Sequence, residues 1–126
     1  MIYPTIEQII NDHVIIIQFT GGTPGIKDRK LLESAYYNSL QTFAGQELYQ
    51  KIEEKFAVLC YGLSQNHPFQ DGNKRIAVHV LIVGLAVNGI ELSYTQQELI
   101  NLGLDIAQGK FNKEDILKWI EEHKKL

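Results

Sequence analysis

The sequence predicts an all-α fold of six helices, and three observations support this prediction. Apolar residues recur with a period near 3.6 in successive segments, as expected of helices that pack one face against a core. Four of the segments begin with residues typical of a helix start. Only short connections separate the segments, so the 126 residues are expected to form a single domain, 1–126.

The first two helices are predicted from their caps. Thr5 and Gln8 match a capping box, and an apolar face follows, so the first helix is expected over residues 5–19. Asp28 is a good N-cap for a second helix, which should reach about residue 41.

The third and fourth helices flank a short polar segment. A 3.6-residue period predicts the third helix over Glu47–Gln65. The fourth, Asn73–Val87, is apolar nearly all round, which is typical of a buried helix at the centre of a bundle and packed on every side. The β-branched residues of Ile76–Val83 also fit a strand, but the length of the run without turn signals favours a helix.

The last two helices again begin at recognisable caps. Thr95 and Glu98 match a second capping box, for a fifth helix that should end at Gly109. Asn112 is the expected N-cap of the sixth helix. The sequence therefore predicts a six-helix bundle around a central buried helix.

Composition and charge argue against several classes of protein. A net charge of −3 provides no positive field to attract nucleic acid, so nucleic-acid binding is not expected. The lone Cys60 excludes a disulfide within the chain and a cysteine metal site. No signal peptide is recognised, and Ile76–Val87 is shorter than the roughly 20 residues that cross a bilayer. A cytoplasmic protein without a membrane partner is expected.

Chemically useful side chains are concentrated before the fourth helix, in the run His67-Pro68-Phe69-Gln70-Asp71-Gly72-Asn73-Lys74-Arg75. The first turn of a helix has unpaired N–H groups and a positive dipole end, so Gly72 and its neighbours can present backbone amides to an anion. Arg75 can add a bidentate contact. This arrangement suits the binding of a phosphate group.

The remaining side chains of the run suit phosphoryl chemistry. Asp71 can hold a Mg²⁺ ion, which takes one or two protein carboxylates together with phosphate oxygens and water. Asn73 can donate a hydrogen bond to a phosphate oxygen. His67 can accept a proton from an attacking hydroxyl group, which makes it the candidate general base.

Each of these residues also has a purely structural interpretation. Proline and glycine are common turn residues, Asp71 is a plausible N-cap, and Lys74 is a plausible solvated helix residue. The combination nevertheless favours the functional interpretation. His13 and His79 are predicted to be packed, hydrogen-bonded histidines rather than ligands. The glycine-rich segment 21–27 lacks the spacing of a nucleotide-binding P-loop and is predicted to be a structural turn.

The run from His67 to Arg75 resembles the motif of the Fic and death-on-curing (Doc) family, His-Pro-Phe-x-Asp/Glu-Gly-Asn-Gly/Lys-Arg, at every specified position. Segments 21–28, 31–35 and 42–45 are similar to the death-on-curing branch, and the likeness covers about residues 21–88. This resemblance implies a Fic/Doc-like helical bundle. It also implies site roles: His67 as base, Asp71 as Mg²⁺ ligand, Gly72 in the anion nest, Asn73, Lys74 and Arg75 on phosphate, and Phe69 packed inward.

The resemblance further implies a reaction and its substrates. Lys74 resembles the death-on-curing pattern, in which the terminal phosphate of ATP is transferred with Mg²⁺, whereas a glycine at this position is usual in enzymes that transfer AMP. The implied acceptor is a threonine of elongation factor Tu, whose phosphorylation stops translation. Residues 42–49 resemble the flap that aligns the target protein. AMP transfer by the same site remains the alternative reaction.

The resemblance also implies a partner. The chain lacks the inhibitory motif Ser/Thr-x-x-x-Glu-Gly/Asn that many Fic proteins carry. Inhibition is therefore expected from an antitoxin protein, whose C-terminal segment folds as a helix into a groove of the toxin. An alternative from another class is a non-catalytic module that only binds a partner helix.

Overall fold

The computed structural model describes residues 1–125 and forms six α-helices with one short hairpin. The helices are α1 (Ile6–Thr20), α2 (Arg29–Asn38), α3 (Ile52–Asn66), α4 (Asn73–Val87), α5 (Gln96–Ala107) and α6 (Lys113–His123). The antiparallel strands β1 (Thr42–Phe43) and β2 (Gln46–Glu47) pair between α2 and α3. The all-α prediction is confirmed. No helix within residues 1–125 is long and apolar enough to cross a membrane.

The helix starts predicted from the two capping boxes are confirmed by their hydrogen bonds. The backbone N–H of Gln8 donates to Thr5 Oγ1 at 3.1 Å, and the Gln8 side chain accepts from Thr5 N at 2.8 Å. Thr95 and Glu98 form the same reciprocal pair. Because these bonds involve residues only three positions apart, the local sequence is enough to specify them.

The third helix begins later than predicted, at Ile52 rather than at Glu47. The backbone N–H of Leu48 donates to Gln41 O at 2.8 Å, which ties this residue to the hairpin region. The Leu48 side chain is 48% exposed, so its agreement with the helical period is accidental. A hydrogen bond from Lys51 N to the Glu54 carboxylate, 3.2 Å long, marks the true start.

The core lies where α3 packs against α2, α4, α5 and α6. Buried residues of α3 and α4 form its centre, among them Phe56, Leu59, Leu63, Ile76, Leu81 and Leu85. The helix, not the strand, is therefore the correct interpretation of segment 76–83. One face of α4 is open, however, because Val83 and Val87 are 43% and 51% exposed. The expectation that α4 is packed on every side is corrected in this respect.

A buried lysine ties the segment after the hairpin to α3. The Lys55 side chain is 1% exposed, and its ammonium group donates to the backbone carbonyl of Tyr49 and lies 3.4 Å from a carboxylate oxygen of Glu47. The Tyr49 hydroxyl in turn accepts a hydrogen bond from Lys113 at 2.9 Å. The segment is therefore held by α3 and α6, although the strands themselves are exposed.

Candidate active site

His67 stands at the end of α3 with its backbone in the left-handed conformation (φ 48°, ψ 55°). This conformation is uncommon for a residue with a Cβ atom and ends the helix abruptly. The following residue is fixed, because Pro68 O accepts hydrogen bonds from Lys27 N at 2.8 Å and Asp28 N at 3.0 Å. His67 is exposed, and no group in residues 1–125 hydrogen-bonds its ring. The imidazole is therefore available to a substrate.

Phe69 anchors the loop that follows His67. Its side chain is 1% exposed and stacks on the buried ring of His13, with the two centroids 3.8 Å apart. The backbone of Phe69 is also held, because its N–H donates to Asn73 Oδ1 at 2.9 Å and its carbonyl accepts from Asn73 Nδ2 at 3.0 Å. The loop is therefore fixed to both α1 and α4.

This use of Asn73 differs from the expected one. The sequence suggested that its side-chain amide would hydrogen-bond a phosphate oxygen, whereas both of its polar atoms bind the backbone of Phe69. In the structure the side chain braces the loop.

Asp71 presents an ionised carboxylate. Asp71 Oδ2 accepts a hydrogen bond from Thr23 N at 3.1 Å. Asp71 Oδ1 accepts one from Gly72 N at 2.8 Å and lies 3.5 Å from Arg75 Nη2. These two backbone bonds, helped by the Arg75 charge, hold the pKa of Asp71 below its ordinary value of 3.8. The side chain is 46% exposed, so solvent and ligands reach it.

The surroundings of Asp71 fit a magnesium ion shared with a substrate. Each carboxylate oxygen has a second lone pair beyond the one used by a backbone N–H. Within residues 1–125 no group of three or more histidine, cysteine, aspartate or glutamate side chains is placed to enclose a metal. A single protein carboxylate, completed by phosphate oxygens and water, is the donor set that Mg²⁺ commonly uses beside nucleotides.

The turn after α1 lies directly on this site. Arg75 Nη1 donates to Gly21 O at 2.7 Å and to the Thr20 hydroxyl. A Cβ atom on Gly22 would lie 2.7 Å from the Asp71 carboxylate and 3.0 Å from Arg75 Nη2, and its φ of +117° also favours glycine. The predicted structural turn therefore has a second role, as a support for Asp71 and Arg75. The adjacent glycines were the sequence signal for this close approach.

The start of α4 is open to an anion. Gly72 is its N-cap, with a left-handed backbone (φ 74°), and no side chain caps the helix. The N–H groups of the first turn and the positive end of the helix dipole therefore remain for a ligand. Lys74 is exposed beside them, and no carboxylate in the described part of the chain pairs with it. Backbone amides, Lys74 and Arg75 thus surround one helix start.

A groove of about 600 Å³ runs along α4 from these cations, between α1 and α5. Its charged or polar nitrogen atoms come from Lys74, Arg75, His79 and Gln96. Its apolar lining comes from all three helices: Ile16, Val78, Ile82, Val83, Leu99 and Ile100. We call this feature the α1–α4–α5 groove.

The other histidines and the cysteine have structural surroundings. His13 is 1% exposed, and its Nε2 lies 2.7 Å from Asp71 O, so the prediction of a packed, hydrogen-bonded residue is confirmed. His79 is half-buried and pairs with Asp12 at 3.2 Å. Burial raises the pKa of the Cys60 thiol to about 12, so this side chain is no nucleophile at neutral pH. No feature of the local sequence indicated that His13 would contact Asp71.

Comparison with known proteins finds a match over a region that includes residues 67–75. The model of the Fic/DOC family matches residues 3–85. The chain is 34% identical over 73 residues to Toxin Doc of Mycolicibacterium smegmatis, which covers 58% of this chain and 56% of that protein. It is 28% identical over 106 residues to Protein kinase doc of Escherichia phage P1, covering 84% of this chain and 82% of the phage protein. The first similarity thus spans little more than half of the toxin it matches.

Proposed function

Because the chain belongs to the Fic/DOC family, we propose that it is the toxin of a toxin–antitoxin system and transfers the terminal phosphate of ATP to a hydroxyl group of a protein. The observation that carries this proposal is one short loop that holds an exposed His67, the carboxylate of Asp71 and the uncapped start of α4. The names of the two relatives, a toxin and a protein kinase, are in keeping with it.

The proposed reaction uses His67 as the general base. The hydroxyl oxygen of the target attacks the γ-phosphorus, the imidazole of His67 accepts the hydroxyl proton, and the bond from the γ-phosphorus to its bridging oxygen breaks. ADP leaves with that electron pair. Such a transfer depends on alignment and charge stabilisation more than on covalent chemistry by the protein. The exposed position of His67 leaves room for a side chain of another protein.

The groups around the α4 start have separate tasks in this proposal. Asp71 would hold Mg²⁺, which neutralises phosphate charge when bound. The first-turn amides and Lys74 bind phosphate oxygens. Arg75 has five N–H groups, of which only some are used by Thr20, Gly21 and Asp71, so it also contributes to the phosphate site. Asn73 contributes its backbone amide, because its side chain is engaged with Phe69.

The choice of phosphate rather than AMP transfer rests on Lys74. Its side-chain stem packs over Gly103 of α5, where a Cβ atom would lie only 3.2 Å from Lys74 Cγ. The stem therefore occupies space beside the helix start that a glycine at position 74 would leave open. This supports transfer of the terminal phosphate, with a threonine of elongation factor Tu as the first target to test.

Labelled ATP tests this function directly. Purified protein is incubated with elongation factor Tu and ATP labelled at the α or the γ position. Label from the γ position on the target is expected, and His67→Ala should abolish it without loss of helix content, since the side chain is exposed. Label from the α position would instead show AMP transfer. Growth arrest by the His67→Ala variant, with no label from either position in the parent protein, would indicate a non-catalytic module.

We further propose that the antitoxin segment occupies the α1–α4–α5 groove. The apolar lining fits one face of an amphipathic helix, and Lys74 with Arg75 at one end favours acidic residues in it. A helix in this groove would lie beside the phosphate-binding groups and obstruct the nucleotide. The first candidate antitoxin is the product of a neighbouring reading frame.

Two exposed valines of α4 test this docking surface. Val83 lines the groove, whereas Val87, one turn further, does not. Val83→Glu should weaken binding of the antitoxin and its inhibition of growth arrest, while Val87→Glu should leave both unchanged. Both side chains are exposed, so neither change disturbs the core. Equal inhibition of the two variants would place the antitoxin elsewhere.

A further inference from the structure

We propose that His13 is a positioning residue, which sets the orientation of Asp71 from beneath the loop. This inference rests on the proposed function, in which Asp71 holds Mg²⁺. His13 lies on α1, 58 residues before Asp71, and its side chain is 1% exposed. Its ring nitrogen Nε2 is 2.7 Å from the backbone carbonyl oxygen of Asp71. A histidine of the core is thus bonded directly to the backbone of the loop.

The direction of this hydrogen bond is fixed by its partner. A carbonyl oxygen only accepts, so Nε2 of His13 carries the hydrogen and donates it. The same ring stacks on Phe69 at a centroid separation of 3.8 Å and an interplanar angle of 11°. The stack holds the ring in the plane that aims Nε2–H at the carbonyl. One side chain therefore supports the loop both by packing and by a hydrogen bond.

Close packing leaves the Asp71–Gly72 peptide little freedom. A Cβ atom on Gly72 would lie 3.1 Å from Ile17 Cδ1 and 3.5 Å from His13 Nε2, so α1 lies directly under this peptide. Above it, the Asp71 carboxylate accepts from Thr23 N and Gly72 N. The carbonyl is held by the helix α1 and the carboxylate by the turn that follows it. The direction of the carboxylate thus depends on the backbone orientation that His13 sets.

Two variants separate the hydrogen bond from the packing. His13→Phe keeps an aromatic ring against Phe69 and removes the N–H donor. His13→Gln removes the ring and retains an amide N–H that can reach the carbonyl. Partners that orient a metal ligand typically change metal affinity about 10- to 100-fold when removed. We expect a weakening of this size in His13→Phe and a smaller one in His13→Gln.

The first measurement is calorimetric titration of Mg²⁺ into each full-length protein with a non-hydrolysable ATP analogue. The second is phosphoryl transfer as a function of Mg²⁺ concentration, in which His13→Phe should regain activity at high Mg²⁺. His123→Phe is the matched control, because His123 also stacks on an aromatic ring, that of Trp119 at 4.0 Å, but lies on α6. It should bind and react like the parent protein.

A third measurement does not depend on nucleotide. Hydrogen exchange of the Gly72 amide, which donates to the Asp71 carboxylate, should be faster in His13→Phe than in the parent and the control. Unchanged exchange together with unchanged Mg²⁺ affinity would reduce His13 to a packing residue and overturn the inference. If the parent protein neither binds the analogue nor transfers phosphate, the proposed function fails, and the exchange rates alone decide whether His13 positions the loop.

Discussion

Asn73 and Phe69 form a closed hydrogen-bonded pair across the loop that precedes α4. Asn73 Oδ1 accepts from Phe69 N at 2.9 Å, and Asn73 Nδ2 donates to Phe69 O at 3.0 Å. Because one short side chain satisfies both backbone groups of a buried residue, the loop from Phe69 to Asn73 is nearly rigid. Asp71 lies inside this closed loop, and the helix start with its open amides follows directly.

Replacement of Asn73 by alanine should therefore destabilise the protein as well as its site. The backbone N–H and carbonyl of Phe69 would lose their partners, at a cost of about 1–3 kcal/mol in the free energy of unfolding. Urea unfolding measures this loss. Asn73→Asp retains only the acceptor, so its free energy of unfolding should lie between those of the parent and Asn73→Ala. A variant of full stability with weak nucleotide binding would instead favour the phosphate contact suggested by the sequence.

Gly84 is expected to resist substitution because of Phe56. A Cβ atom at position 84 would lie 2.2 Å from a ring atom of Phe56, which is fully buried. Gly84→Ala should therefore lower the free energy of unfolding by about 1–3 kcal/mol through overpacking. Thermal unfolding checks this, with Ser34→Ala on the exposed face of α2 as the control. The double variant with Phe56→Leu should recover part of the loss.

Lys55 should hold the hairpin in place. Lys55→Met retains the apolar stem but leaves the Tyr49 carbonyl without the ammonium donor, so we expect a loss of about 1–3 kcal/mol in the free energy of unfolding. Amide exchange across residues 42–50 should accelerate at the same time. Lys118→Met, at an exposed position of α6, should change neither quantity. Exchange that stays at the parent rate would show that the hairpin does not depend on Lys55.

The contact between α5 and α6 should depend on pH. Partial burial opposes protonation of His123, but hydrogen bonds to Glu98 and to the Trp119 carbonyl, with nearby carboxylates, outweigh it and raise the pKa above 6.5. Hydrogen bonds from Thr95 and His123 hold the pKa of Glu98 below 4.5. The His123 and Glu98 side chains lie 2.8 Å apart. Both are charged when the pH lies between the pKa of Glu98 and the pKa of His123.

The sign of this pH dependence follows from the two shifts. The contribution of His123 to the free energy of unfolding is fully present below pH 6.5 and is lost as the pH rises through its raised folded-state pKa. The contribution of Glu98 is fully present above pH 4.5 and is lost as the pH falls through its lowered folded-state pKa. Thermal unfolding of the parent relative to His123→Gln should therefore show the largest difference between about pH 4.5 and pH 6.5. A difference that is constant from pH 4 to pH 8 would contradict this assignment.

The sequence by itself determined the helices and the proposed catalytic segment, because both depend on residues that are close together in the chain. Capping boxes span three residues, as at Thr5 and Thr95, and the helical period repeats within a few turns. The same locality placed His67 and Asp71 in one loop. It failed at Leu48, where an exposed side chain happened to continue the period.

Only the tertiary structure decided how that loop is supported. His13 and Thr23 reach Asp71 from 58 and 48 residues away, and the open face of α4 became a groove because α1 and α5 flank it without closing over it. Contacts of this kind depend on how the helices pack against one another. A periodic pattern shows which face of a helix is apolar, but not which residues of other helices contact that face. The long-range hydrogen bonds of the site therefore had no signal in the local sequence.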